Sequence, residues 1–133
     1  MKTRTIDTNI LVRLLAQDNE EQWATAADLV SRFQLVVLST VLMETEWVLR
    51  SRYGFDRQRI VELFRAILAS ENFILVERQR VVRTLDAFAC GLDFADALHL
   101  SSLDAGETFI TFDRDLVRLA NKHIEDVSME LAS

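Results

Sequence analysis

The chain has no proline, no low-complexity run and only one cysteine, and these shortages exclude several classes of protein. Nothing in the sequence reads as a linker or an internal repeat. A single cysteine, Cys90, cannot form an internal disulfide framework and fits a reducing compartment. No stretch approaches the ~20 apolar residues that a membrane helix needs, and no apolar signal core follows Met1. We therefore expect a soluble cytoplasmic protein in which Cys90 is a buried, unreactive thiol.

Lysine is also scarce, and the 21 acidic residues outnumber the 15 basic ones. The net charge of −6 argues against a generic basic coat for nucleic acid. It does not argue against a nucleic-acid enzyme, because a bound metal ion offsets negative charge where it matters. Lys2 and Lys122 are the only lysines. Arginine suits planar phosphate contacts better than lysine, so this bias mildly favours a phosphate partner, although a high-GC genome favours arginine codons as well.

Half of the 133 residues are apolar, which is enough for one globular domain with its own core. Short apolar runs predict strands at 3–6, 35–38, 73–76 and 108–112, with a weak strand at 124–127. Helical patterns predict four helices with both ends defined, at residues 20–33, 39 or 40 to about 54, 78–89 and 93–104. Three more helices are predicted to begin at residues 10, 57 and 113. This alternation predicts an α/β fold with a mostly parallel central sheet of four to five strands, flanked by helices on both faces.

The sequence contains four acids whose positions suit a divalent-metal site: Asp7, Glu44, Asp96 and Asp113. Asp7 and Asp113 directly follow predicted strands, which places both at the sheet edge where ligands bind. Asp96 shares a helix face with Leu100 and Leu103, so its carboxylate is expected to point inward. Converging carboxylates must take up protons or hold a cation. An all-oxygen set favours magnesium or manganese over zinc.

Each of these aspartates also has a purely structural interpretation. Asp7 and Asp113 can cap the helices that they precede, because aspartate is a preferred N-cap residue. Asp96 can be the third residue of a capping box begun by Asp93. Asp115, which is not one of the four candidates, is most simply a negative charge in the first turn of the last helix.

Glu44 and Glu46 are close in sequence but differ in their surroundings. Arg50 follows Glu46 by four residues, the favourable order for an ion pair on a helix surface, so Glu46 is interpreted as solvated. No cation stands next to Glu44 on the helix. The positions that flank it are apolar: Val41, Trp47 and Val48. We therefore interpret Glu44 as the ligand.

Other residues with chemical potential have ordinary explanations. His99 can be a proton shuttle or an outer partner of Asp96, although a packed, hydrogen-bonded histidine is the simpler interpretation. The eight phenylalanines recur at helix and strand spacing, which indicates core rather than a base-stacking surface. Arginines around one helix–helix turn can grip RNA phosphates, hold a partner or simply be solvated; they are Arg50, Arg52, Arg57 and Arg59.

The acids lie in four short motifs whose order and spacing are more specific than any one of them. Asp-Thr-Asn-Ile-Leu occupies 7–11, Glu-Thr-Glu-Trp-Val-Leu-Arg-Ser occupies 44–51, Asp-Phe-Ala-Asp-Ala-Leu-His occupies 93–99, and Thr-Phe-Asp-Arg-Asp-Leu occupies 111–116. With these motifs the chain resembles PIN-domain ribonucleases, and in particular the VapC-type toxins of bacterial toxin–antitoxin pairs. The resemblance covers nearly the whole length and implies a single PIN domain over 1–133.

The resemblance also implies a site and a reaction. In the family, the acids that match Asp7, Glu44, Asp96 and Asp113 hold Mg²⁺, with Mn²⁺ as a substitute. One or two such ions activate water in line with an RNA phosphodiester and stabilise the leaving 3′ oxygen, which gives 5′-phosphate and 3′-hydroxyl ends. Asn9 and Thr111 match positions that the family often keeps polar. The substrate would be a transfer, ribosomal or messenger RNA.

The same resemblance implies a homodimer and a cognate VapB-type antitoxin whose tail occludes the acidic pocket. Three alternatives stay open. A PIN-like module can bind RNA or protein without cutting. A response-regulator receiver needs a phosphoacceptor aspartate where Ser39 follows the second strand, and a haloacid-dehalogenase-type phosphatase needs a second aspartate at Asn9.

Overall fold

The computed structural model describes residues 2–133 and divides the chain into two compact units, Met1–Arg78 and Gln79–Ser133. We call them the first and the second unit. The first contains β1 Thr3–Thr5, α1 Thr8–Ala16, α2 Glu20–Arg32, β2 Gln34–Val37, α3 Ser39–Ser51, α4 Arg57–Ala69 and β3 Phe73–Leu75. The second contains α5 Arg78–Ala89 apart from its first residue, then α6 Phe94–Leu100, β4 Thr108–Thr111, α7 Arg114–His123 and β5 Ser128–Leu131.

In the first unit, the three strands form a parallel sheet in the order β1-β2-β3. Arg4 pairs with Leu35, and Val36 pairs with Ile74. Leu35 and Val37 of the central strand are completely buried. Parallel strands need helical crossovers, and the helices supply them. The core of this unit is aliphatic with one phenylalanine, and its fully or almost fully buried side chains include Leu11, Leu42, Leu49, Ile60 and Phe64.

In the second unit, β4 and β5 form a parallel pair in which Thr108 lies opposite Ser128 and Thr111 opposite Leu131. A cluster of small and aliphatic side chains holds this unit together: Ala87, Leu92, Ala97, Leu100, Leu116 and Ala120. The partly buried Phe109 and Met129 of the two strands pack against this cluster. The cluster thus draws on α5, α6 and α7 and fixes the starts of the last two helices, where the acids lie.

The α/β class with parallel strands is confirmed, and most element bounds agree with the sequence prediction within one or two residues. The five strands pair as a group of three and a group of two. The weak strand expected at 124–127 is wrong, because β5 begins only at Ser128. Ile124 and Val127 are apolar because they pack against the core cluster.

Two local predictions also need correction. Neither Ser39 nor Thr40 caps α3, since Leu38 is its N-cap residue and makes no side-chain cap hydrogen bond. Cys90 is exposed rather than buried, because the buried face of α5 ends at Phe88. Within residues 2–133, no helix has the length and apolar character required to cross a bilayer.

Candidate functional site

Asp96 lies in the first turn of α6, immediately after a tight turn. Gly91 adopts a positive φ of 117° between α5 and α6, a conformation that costs a glycine little. Asp93 then caps α6, and its carboxylate accepts a hydrogen bond from the Asp96 backbone N–H at 3.4 Å. The Asp96 side chain is half-buried, and Ala97 and Leu98 beside it are buried. The inward direction expected from the helix pattern is thus partly realised.

The electrostatic surroundings of Asp96 disfavour its negative charge. Burial raises the pKa of the Asp96 carboxyl above its ordinary value, and the negative charges of Asp93 and Asp113 raise it further. His99 acts in the opposite direction, as the smallest of these influences. Asp96 therefore lies among like charges, and a proton or a cation at this place would relieve them.

Asp113 is held at the junction between β4 and α7. Its carboxylate caps α7 by accepting the Leu116 N–H at 3.0 Å, and its own N–H donates to the hydroxyl of Thr111 at 3.0 Å. The capping interpretation is therefore correct, but the side chain is exposed and its charge still reaches Asp96. Thr111 fixes the backbone that presents this acid.

Asp7 occupies the equivalent position in the first unit, between β1 and α1. Its carboxylate accepts the Ile10 N–H at 3.0 Å and caps α1, while the side chain stays exposed. Ile6, directly before it, is buried and anchors the end of the strand. Asp7 and Asp113 are thus both caps placed directly after a parallel strand.

The structure reverses one expectation about the two glutamates of α3. Glu46 is only 2% exposed and is not solvated. Arg50 donates to its carboxylate from Nε at 2.7 Å, so the predicted ion pair exists. Its carboxylate is buried in the interior, whereas the Arg50 side chain is half-exposed. Glu44 is exposed. Glu46 is therefore a structural acid, whereas Glu44 is the one that α3 presents to solvent.

The arginines that the sequence grouped together have different contacts. Arg50 pairs with Glu46, Arg52 lies over Trp47 with its Cζ 6.0 Å from the ring centroid, and Arg59 lies over Phe55 at 3.7 Å. Stacking of this kind leaves the outward N–H donors of a guanidinium available.

The aromatic side chains do not all belong to the core, contrary to the sequence interpretation. Phe112, directly before Asp113, is 85% exposed, and Trp47 is 52% exposed. His99 is exposed and stacks on Phe109 with the ring centroids 6.5 Å apart, so it is not a buried packed histidine. The strand pattern gave no signal for Phe112, because it stands one residue beyond the end of β4.

Within the second unit, the negative charges of Asp93 and Asp113 both raise the pKa of the Asp96 carboxyl. The other two candidates, Asp7 and Glu44, belong to the first unit. Neither of the units, taken by itself over the part of the chain that is described, groups three or more His, Cys, Asp or Glu side chains closely enough to hold a metal ion. The carboxylate chemistry of the candidates nevertheless fits a hard divalent cation.

Comparison with known families agrees with this architecture. The PIN domain family matches residues 5–122, a range that includes all four candidate acids and both polar neighbours, Asn9 and Thr111. No curated protein and no solved structure shows significant similarity to the chain. PIN domains have a nuclease-type fold, are generally nucleases and generally use divalent metals such as Mg²⁺. Because the match spans most of its length, this chain belongs to the PIN domain family.

Proposed function

We propose that this protein is a metal-dependent endoribonuclease that hydrolyses RNA phosphodiester bonds and uses Asp7, Glu44, Asp96 and Asp113 to hold Mg²⁺ or Mn²⁺. The observation that carries the proposal is the environment of Asp96. Its carboxylate is half-buried, and the charges that act on it most strongly are those of two other aspartates. A bound divalent cation would cancel this repulsion.

The capping hydrogen bonds give two of the acids a fixed position. One carboxylate oxygen of Asp7 accepts the Ile10 N–H, and one of Asp113 accepts the Leu116 N–H. These bonds restrict the rotation of both carboxylates before any ligand arrives, which is the preorganisation that a metal or substrate site requires. Capping and ligation are therefore compatible roles for the same residue.

When bound, the metal supplies an activated water and stabilises charge on the departing 3′ oxygen. Neighbouring residues of the chain hold the acidic side chains in position. Thr111 accepts the Asp113 N–H and so fixes the start of α7. Asn9 stands two residues after Asp7 and is exposed in the first turn of α1. Its side-chain amide N–H can donate to a phosphate oxygen.

The finer assignment is a VapC-type toxin. The order and spacing of the four motifs support this assignment. It implies a homodimer, a VapB-type antitoxin and a cytoplasmic location. The substrate would be a transfer, ribosomal or messenger RNA. In this assignment the antitoxin would inhibit the enzyme by covering the acids.

A cleavage assay on total bacterial RNA tests the function. Wild-type protein and Asp7→Asn are compared in Mg²⁺, in Mn²⁺ and in EDTA, and the 5′ ends of the products are mapped. We expect discrete cuts that disappear in EDTA and in the variant. Asparagine caps helices as well as aspartate does, so this variant removes the charge and keeps the cap of α1.

Asp56→Asn is the matched control. Asp56 caps α4 through the Arg59 N–H at 2.8 Å but belongs to none of the four motifs. It should cut like the wild type. If pure, folded wild-type protein cuts no RNA in any metal but retains RNA or a protein partner, the non-catalytic binding module replaces the nuclease.

A further inference from the structure

A cavity of about 220 Å³ opens in the first unit between α1 and the end of α3. Apart from two valines, its lining is polar: Thr8, Asn9, Arg13, Arg52 and Tyr53. The described lining thus contains two guanidinium groups, two hydroxyls and an amide, and no carboxylate. A cavity with this lining is suited to an anion.

Arg13, in the wall of this cavity, has one buried side-chain donor without a partner among the described residues. Arg13 donates from Nη1 to Asp18 at 3.2 Å and to the hydroxyl of Tyr53 at 3.0 Å, and the Tyr53 hydroxyl donates to Asp18 at 2.8 Å. The Arg13 Nε has no hydrogen-bond partner among the described residues. A buried N–H without an acceptor costs free energy, so the Arg13 guanidinium keeps hydrogen-bonding capacity that an anion would use.

The second guanidinium belongs to Arg52. It follows the last turn of α3 and is exposed, with Trp47 beneath it. A cation at a helix C-terminus is favourable by itself, so its position alone does not indicate a ligand. Its place on the same cavity as Arg13 does, because the two guanidiniums bring more positive charge to the lining than the one carboxylate paired with Arg13 offsets.

The position of the cavity identifies the anion. Thr8 and Asn9 in its wall directly follow Asp7, one of the acids proposed to act at the scissile phosphate. An RNA strand carries one phosphate per nucleotide, so an adjacent phosphate lies within a nucleotide step of the scissile one. We propose that this cavity is a subsite that binds the RNA backbone phosphate next to the cleaved bond, with Arg52 as its main contact. The inference rests on the proposed nuclease function.

Binding of a short, fluorescein-labelled, single-stranded RNA of mixed sequence, measured by anisotropy in EDTA, tests the subsite without cleavage. Arg52→Gln should weaken binding about 3- to 10-fold at low salt. It should also reduce the slope of log affinity against log salt by about 0.7, the value for one phosphate contact on a single strand. Arg52→Lys should restore most of the slope. Arg32→Gln, an exposed arginine paired with Asp28, is the matched control and should change neither quantity.

Each outcome has a separate meaning when wild-type cleavage is measured in parallel. Cleavage by the wild type with the same RNA affinity and slope in Arg52→Gln would overturn the subsite and leave the nuclease intact. Absence of cleavage by folded wild type would instead reject the proposed function. Unchanged RNA binding together with weakened binding of poly-glutamate would assign the cavity to a protein carboxylate and would also overturn the proposal.

Discussion

Three acids of the first unit and Asp96 of the second unit have opposite surroundings. In the first, Glu46 is buried against Arg50, Asp28 pairs with Arg32, and Asp18 accepts from Arg13 and Tyr53. In the second, the half-buried Asp96 is influenced mainly by burial and by other acids. The comparison teaches that burial alone does not mark a functional acid.

Glu46 and Asp96 differ in whether a cation pairs with the carboxylate. Glu46 is more deeply buried than Asp96, yet its carboxylate is satisfied by the guanidinium of Arg50 at 2.7 Å. At the surface, Asp18 is compensated mainly by a hydrogen bond: the Tyr53 hydroxyl lowers the pKa of its carboxyl most, and the charge of Arg13 adds a smaller lowering. Asp96 has only the weaker influence of His99. An acid that the chain itself leaves uncompensated is the better candidate for a metal ligand.

The largest expected effect is on cleavage by Asp96→Asn. Losing this carboxylate should lower the cleavage rate at least about 1,000-fold, because it removes several kcal/mol of stabilisation by the metal in the transition state. Far-UV circular dichroism should be unchanged. Asp104→Asn, an exposed acid of the same unit, is the control and should keep full activity. Wild-type rates in Asp96→Asn would remove Asp96 from the site.

The next largest effect is a loss of folding stability when the ion pair of the first unit is broken. Arg50→Ala should lower the free energy of unfolding by about 3 kcal/mol, because it leaves the carboxylate of Glu46 buried without its cation. Adding Glu46→Gln to Arg50→Ala should recover part of the loss, which a urea titration of the single and double variants measures. A double variant that is as unstable as the sum of the single ones would show that the pair is not coupled.

Asp113 allows its two roles to be separated. Asp113→Ala should cost about 1 kcal/mol of stability by removing the cap of α7, and it should also abolish cleavage. Asp113→Asn should keep the stability and still lose cleavage. Thermal unfolding and the RNA assay on both variants check this. Full cleavage by Asp113→Asn would reduce Asp113 to a cap.

The smallest effect is a pH dependence of stability, measured in EDTA. Since the folded-state pKa of Asp96 is raised above its ordinary 3.8, the folded protein binds the extra proton. Wild-type stability should therefore fall as the pH rises from about 3.8 through the raised pKa, compared with Asp96→Asn. At neutral pH the variant should have the higher Tm, and the gap should close towards acidic pH. A gap that is constant with pH would contradict the raised pKa.

Much of the fold could be predicted from the sequence, since it depends on local patterns. Apolar runs such as 35–38 and caps such as Asp56 act over a few residues, and both are found where they were expected. The predicted strand at 124–127 failed because Ile124 and Val127 are apolar for packing rather than for pairing. A short apolar run does not distinguish these two causes.

The candidate site was harder to predict because it depends on contacts between distant segments. The spacing of Glu46 and Arg50 predicted their ion pair but not that Glu46 lies in the interior, which depends on what packs against α3. Tyr53 reaches Asp18 across 35 residues, and no local pattern indicates this contact. The exposure of Phe112 likewise follows from where β4 ends and not from its neighbours in sequence.

Binding of Mn²⁺ measures the central claim most directly, which is that uncompensated carboxylates form a divalent-metal site. Calorimetric titration of metal-free wild type, Asp96→Asn and the control Asp104→Asn would give the affinity without RNA. We expect saturable binding by the wild type and by Asp104→Asn, and at least a ~10- to 100-fold weaker affinity for Asp96→Asn. Equal Mn²⁺ affinity in all three proteins, or no binding by the folded wild type, would contradict the account.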